Sequence, residues 1–284
     1  MDRSIMQYES YGDENGRLLI YFHGAPGSKN EAQFLHQSAR QNNLNILCFD
    51  RFSIDPDVIG NAYYLMQADT IIKHMESHKS KPEQVDLIGF SIGCHVALEV
   101  SLCLANKVAS LHLISAAAPL DALDGNNHFL DNMAGKPVFK LAQNIPSLFK
   151  LLTFWQGLLT RVSPAIVFNM LFASAKGADK TLIKDTGFKS SIGQILASCF
   201  QYSSAGYIKD VLQYVQPWAN KVESSMVTTY LWHGELDNWS PVTMADYLES
   251  ALPNCKGKYI QAGCSHYSCL LAAVPQICHK IAKE

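Results

Sequence analysis

The sequence lacks any apolar run near the ~18 residues a membrane-spanning helix needs, which excludes an integral membrane segment. Its first residues, Met1-Asp2-Arg3-Ser4, lack a charged stretch leading into an apolar core, so no secretory signal is expected. Blocks of like charge are missing too. With 23 Lys and Arg against 25 Asp and Glu, the formal charge is −2, which argues against nucleic acid or an anionic membrane as the main partner. The eight cysteines have no paired C-x-x-C spacing. Neither a zinc site nor a disulfide framework is therefore expected, and most of the thiols read as buried, reduced fillers. These absences leave a soluble, cytoplasmic chain whose partner is a small, partly apolar molecule.

What is present is a large core. The chain has 284 residues, 48% hydrophobic and 17% charged, enough for one α/β domain with an insertion. Met6 to Tyr11 reads as an edge strand, and continuous apolar runs at Leu18 to Phe22, Ile46 to Phe49, Val85 to Ile88 and Val108 to Ile114 read as strands covered on both faces. Helical patterns at Glu31 to Gln41, Asn61 to His78 and Ile92 to Ala105 alternate with them. That alternation predicts right-handed crossovers and a mostly parallel sheet with helices on both faces.

From about Leu120 to Lys221 the strands stop and helical segments take over. Leu148, Leu151, Leu152, Trp155, Leu158, Leu159 and Val162 fall on one helical face, expected to pack inward; membrane or dimer contact, including a homodimer, is the other reading of so wide a face. Ser163-Pro164 suits an N-cap and first helical position, and Lys189 to Tyr202 and Tyr207 to Gln216 read as further helices. Strands return at Val227 to Trp232 and Lys258 to Gln261, and a helix from Tyr267 to Lys283 closes the chain.

The chemistry gathers around Gly89-Phe90-Ser91-Ile92-Gly93, between a strand and a helix. Glycines at Gly89 and Gly93 let such a corner form without Cβ clashes, and Ser91 is presented at the strand's carboxyl end as a nucleophile. The amide of Ile92 opens the helix behind it, where unpaired N–H groups and the helix dipole favour an anion. The turn His23-Gly24-Ala25-Pro26-Gly27-Ser28 frees the amide of Ala25 for the same task, while His23 itself reads as packed and backbone-bonded. Asp50-Arg51 reads as a structural ion pair or turn, and Cys94 and His95 as packing residues.

The Gly-x-Ser-x-Gly turn resembles the nucleophile elbow of the α/β-hydrolase superfamily, and His23-Gly24, Asp237 and His266 follow in that family's order. The resemblance implies an α/β-hydrolase core at residues 1–119 and 222–284, with a helical cap at 120–221 inserted after the sixth core strand. It implies a Ser91, His266 and Asp237 triad, with Asp237 chosen by the G-x-x-D spacing after Gly234 and Glu235 and Asp121 as competitors. Oxyanion donors are the amides of Ala25 and Ile92, with Gly24, Gly89 and Gly93 shaping the loops; no metal or organic cofactor is implied. Phe52-Ser53-Ile54-Asp55-Pro56-Asp57 departs from the glycine-rich turn common in relatives and leaves the local pocket wall unspecified.

A serine at the elbow points to acyl transfer through an acyl-enzyme, and an ester-cleaving enzyme is the leading expectation. The chief alternative is a non-catalytic ligand-binding or scaffolding protein on the same fold. The His-Gly-x-Pro-Gly turn also resembles that of proline iminopeptidases, which keeps an aminopeptidase open, and carbon–carbon bond hydrolase chemistry would use the same groups.

Overall fold

The computed structural model describes residues 6–122, 129–201 and 203–283. The expected start of the chain at Met1, the stretch 123–128 within the expected cap, and Tyr202, the expected end of one helix, lie outside them. Seven strands form one sheet: β1 (Tyr8–Gly12), β2 (Arg17–Phe22), β3 (Leu44–Phe49), β4 (Val85–Phe90), β5 (Val108–Ile114), β6 (Thr229–Gly234) and β7 (Cys255–Gln261). Their order is β1-β3-β2-β4-β5-β6-β7, with β1 antiparallel to β3 and every other neighbour parallel. β1 is an edge strand, as expected, and β4 lies at the centre.

Residues alternate across the sheet, so each apolar strand feeds two cores. Leu18, Ile20 and Phe22 join α2 (Gly60–Ser77), α3 (Gly93–Leu104) and α12 (Val242–Ala251) on one face. Leu19 and Tyr21 join α1 (His36–Gln41) and α13 (His266–Ile281) on the other. The expected helix over Glu31 to Gln41 is α-helical only from His36; Lys29–Leu35 winds as a 3₁₀ helix.

Between β5 and β6 lie α4 (Phe129–Asn132), α5 (Lys136–Asn144), α6 (Pro146–Val162), α7 (Pro164–Leu171), α8 (Asp179–Leu182), α9 (Thr186–Cys199), α10 (Ala205–Tyr214) and α11 (Ala219–Ser224). This stretch follows the fifth strand and not a sixth, because a single antiparallel strand, β1, precedes β2. Phe168 and Phe172 pack with Phe188, Ile192, Ile195 and Leu196 into a separate small core that joins α7 to α9. Ser163 occupies the N-cap position of α7 and Pro164 the first turn, but the serine side chain makes no capping bond.

The leucine face of α6 is turned the opposite way from expectation. Phe149, Thr153, Gly157 and Thr160 are buried, whereas Leu151, Leu152 and Trp155 are more than half exposed. A Cβ at Gly157 would strike Ser204 Oγ, and that hydroxyl donates to the Thr153 carbonyl at 3.1 Å. Close approach through small residues therefore decided the orientation, against the pull of the leucines.

Candidate active site

β4 runs directly into Ser91, which sits at φ +56°, a left-handed conformation that costs a non-glycine residue of order 1–3 kcal/mol. The strained residue is the serine itself; the flanking glycines supply room. A Cβ at Gly93 would strike the carbonyl oxygens of Phe22 and His23, and one at Gly89 would lie 2.7 Å from the Cys94 Cα. The turn is pinned by Ser91 N–H donating to the Ile114 carbonyl at 3.0 Å and by Cys94 N–H donating to the Ser91 carbonyl at 3.0 Å. Ile92 follows as the N-cap of α3 and is buried.

His266 is the first residue of α13, so the loop after β7 carries it over the carboxyl edge of the sheet. Its Nδ1 lies 2.8 Å from Asp237 Oδ2. The other oxygen of Asp237 accepts the amides of Trp239 (2.9 Å) and Ser240 (3.0 Å), which fixes the carboxylate in the turn after β6. Burial alone would raise the Asp237 carboxyl, but the charge and hydrogen bond of His266 outweigh it and hold the group below its ordinary 3.8. Burial likewise depresses His266, and Asp237 overcomes that and lifts it above 6.5. The two competitors are engaged elsewhere: Glu235 accepts from Gly263 N–H at 2.8 Å, and Asp121 accepts from Trp218 N–H at 3.1 Å.

The glycine turn after β2 rests on two buried ionisable side chains, Glu31 and Arg51. Glu31 Oε2 accepts the Gly24 amide at 2.7 Å and the Tyr21 hydroxyl at 2.9 Å, and Oε1 accepts the Tyr267 hydroxyl at 3.3 Å. Burial lifts its carboxyl from the ordinary 4.5 to about 7. On the other side Arg51, 1% exposed, donates from Nη2 to the Gly24 carbonyl at 3.3 Å. Its ion pair is with Asp210 of α10, at 2.8 Å from both Nε and Nη2, and not with its neighbour Asp50. Tyr63 adds a 2.6 Å hydrogen bond to the same carboxylate. His23 is buried with Nδ1 2.8 Å from the Gly24 carbonyl, a packed residue as expected.

Gly24, Ala25, Ser91 and His266 meet on the wall of one narrow cavity of ≈ 40 Å³. Leu171, Phe172, Ile192, Ile195, Leu196 and Trp239 close it with apolar surface. Asp237 stands behind His266, while Ile92 lies outside the lining. A larger cavity of ≈ 930 Å³ opens beside Tyr64, His95, Glu99 and Trp218, and Ser91 is not in its wall.

Solved structures carry the same architecture. A bromoperoxidase from Bacillus anthracis superposes with a TM-score of 0.67 at 16% identity, over 98% of this chain and 95% of that one. The fold is that of the α/β-hydrolases. An esterase from Exiguobacterium antarcticum matches with a TM-score of 0.64 at 16% identity, over 98% and 96% of the two chains. A hydrolase from Oleispira antarctica matches with 0.65 at 13% identity, over 100% and 97%. At these identities the likeness is one of fold. No protein-family model and no curated protein matches the sequence.

Within this α/β-hydrolase fold, three side chains beside the candidate site escaped the reading of the sequence. Glu31 had one signal, Ser28-Lys29-Asn30-Glu31, which has the form of a capping box, but the glutamate turns inward to Gly24 instead. Phe90 packs against His266 with ring centroids 4.8 Å apart and the rings tilted by 44°, and so backs the imidazole. Asp179 of α8 accepts the amides of Ser268 (2.7 Å) and Tyr267 (3.2 Å) at the start of α13, and nothing local in the sequence marks it. Among the described residues no cluster of His, Cys, Asp and Glu is arranged to hold a metal ion.

Proposed function

We infer that the chain is a serine hydrolase acting on a carboxylic ester or related carbonyl compound through an acyl-enzyme. The observation that carries this reading is the 2.8 Å contact of Asp237 with His266, which shares the wall of one cavity with Ser91 in its strained turn. A serine hydroxyl is a weak nucleophile at neutral pH, so His266 accepts its proton as Ser91 attacks the carbonyl carbon. Asp237 holds the imidazole tautomer with Nδ1 protonated and stabilises the imidazolium. The amides of Ala25 and Ile92 receive the oxyanion, each such donor contributing roughly 3 kcal/mol to barrier lowering. The protonated His266 then releases the leaving group, and a water activated by the same imidazole frees the acid.

The helices between β5 and β6 serve as a cap, residues 120–221, over a core formed by 1–119 and 222–284. Their Leu171, Phe172, Ile192, Ile195 and Leu196 line the ≈ 40 Å³ cavity beside Ser91, which favours a short acyl group. A non-catalytic binding protein has no use for the strained serine or the buried Asp–His pair. The test is a fluorophosphonate probe on wild type and Ser91→Ala, beside hydrolysis of p-nitrophenyl esters of increasing acyl length. Labelling and turnover confined to wild type support the reading, and a folded wild type that does neither sinks it.

A further inference from the structure

The stretch from Ser174 to Asp179, between α7 and the start of α8, lies against both loops that carry the buried Asp–His pair. Asn238, next to Asp237, donates from Nδ2 to the Ser174 carbonyl at 2.8 Å, and its own carbonyl accepts the Ala134 amide at 2.7 Å. The Ala178 amide donates to the Gly263 carbonyl at 2.9 Å, in the loop that leads to His266. A Cβ at Gly177, φ +48°, would stand 2.5 Å from that same oxygen, so the close approach needs glycine. Asp179 follows, 2% exposed, and its two carboxylate oxygens accept the amides of Tyr267 and Ser268, one each.

Those amides are the second and third of α13, and His266 is the first residue. N–H groups at the amino end of a helix have no partner within it, and the residue just before the helix is their usual acceptor. Here the acceptor stands 88 and 89 residues away in the chain. Two consequences meet at His266. Holding the first turn of α13 holds the backbone from which the imidazole projects. The positive end of the helix dipole also disfavours an imidazolium there, and a carboxylate at the same end offsets it. The ionisable groups facing His266 are Asp237 and His233 from β6 and the turn after it, Asp179 from α8, Glu31 from the 3₁₀ helix and Tyr267 from α13 itself. Burial lowers the imidazole pKa, and Asp237, then Asp179, then Glu31 raise it.

We propose that Asp179 is a positioning residue for His266: its carboxylate closes the amino end of α13, holds the imidazole in place and offsets the positive helix end beside it. The assignment rests on the hydrolase reading, because it bears on chemistry only when His266 is the base. It makes α8 part of the machinery that sets the base, in addition to any part its neighbours play in shaping the cavity.

The experiment measures p-nitrophenyl acetate turnover from pH 5 to 9, with fluorophosphonate labelling and melting temperature, for wild type, Asp179→Ala and Asp179→Asn. Asp179→Ala should lower kcat at the alkaline plateau about tenfold with KM within about twofold, because the imidazole loses its placement while the cavity keeps its lining. Asp179→Asn keeps an oxygen for one amide but carries no charge. It should recover most of that kcat, while the acid limb of its kcat/KM lies at lower pH than in wild type. If Asp179→Ala does not fold, the displaced limb of Asp179→Asn decides alone. Folded variants with the wild-type kcat and pH profile, or a lower melting temperature with an unmoved profile, overturn the assignment while labelling of wild type leaves the hydrolase reading intact. A folded wild type that neither labels nor turns over ends the hydrolase reading and this assignment with it.

Discussion

Replacing Glu31 by Gln should flatten part of the pH dependence of stability. The carboxyl has no solvent exposure and its pKa rises, through burial above all, from 4.5 to about 7. An acid whose folded pKa is raised binds its proton more tightly in the native state than in the unfolded chain. Its contribution is therefore intact below the unfolded value and is lost as pH rises through the folded one. Across a window from 4.5 to about 7 that loss is roughly 3 kcal/mol. The substituted glutamine cannot titrate, yet its amide oxygen can still accept the Gly24 amide. Urea unfolding of both proteins at pH 4.5, 6 and 8 gives the difference directly, because the other titrating groups are common to both. Glu31→Gln should gain on wild type by about 3 kcal/mol between the ends of the series, most of it before pH 7. Parallel stability curves would refute the buried, proton-holding Glu31.

Asp237→Asn should lower kcat on a p-nitrophenyl ester by about 10⁴, since the useful tautomer is lost. The acid limb of the residual activity should also move to lower pH, because His266 works deprotonated and Asp237 is what holds its pKa above 6.5. Asp210→Ala leaves a fully buried guanidinium unpaired and should cost about 3–5 kcal/mol in urea unfolding, with much of that recovered by Arg51→Met combined with Asp210→Leu. Leu196→Ala enlarges the cavity facing Ser91 and should shift the preferred p-nitrophenyl ester to longer acyl chains, measured as kcat/KM across the series.

The sheet was legible because a strand buried on both faces must be apolar throughout. The reading of Val108 to Ile114 matches β5 residue for residue, and Leu18 to Phe22 differs from β2 by one residue. The tight turn at Ser91 was legible for a steric reason: only glycine fits where Gly93 meets the carbonyls of Phe22 and His23, so the turn is written in residue types. Asp237 and His266 were singled out from their place after the last two strands, and the structure brings the two side chains into contact. What failed depended on partners far away in the chain. The stripe on α6 defined a face but could not say where it points, since Gly157 against Ser204 decides that across 47 residues. Arg51 finds Asp210 159 residues on, a pairing no local pattern announces. Glu31 was read only as the start of a helix, because a carboxyl buried under Gly24 needs the whole sheet in place to exist.

The most direct test of the hydrolase account is mass spectrometry of the intact protein after fluorophosphonate treatment, followed by peptide mapping. The account predicts one adduct, on Ser91, formed faster as pH rises through the His266 pKa and absent from Ser91→Ala. An adduct on another residue, or a folded wild type that stays unmodified while p-nitrophenyl acetate is not turned over, would contradict it.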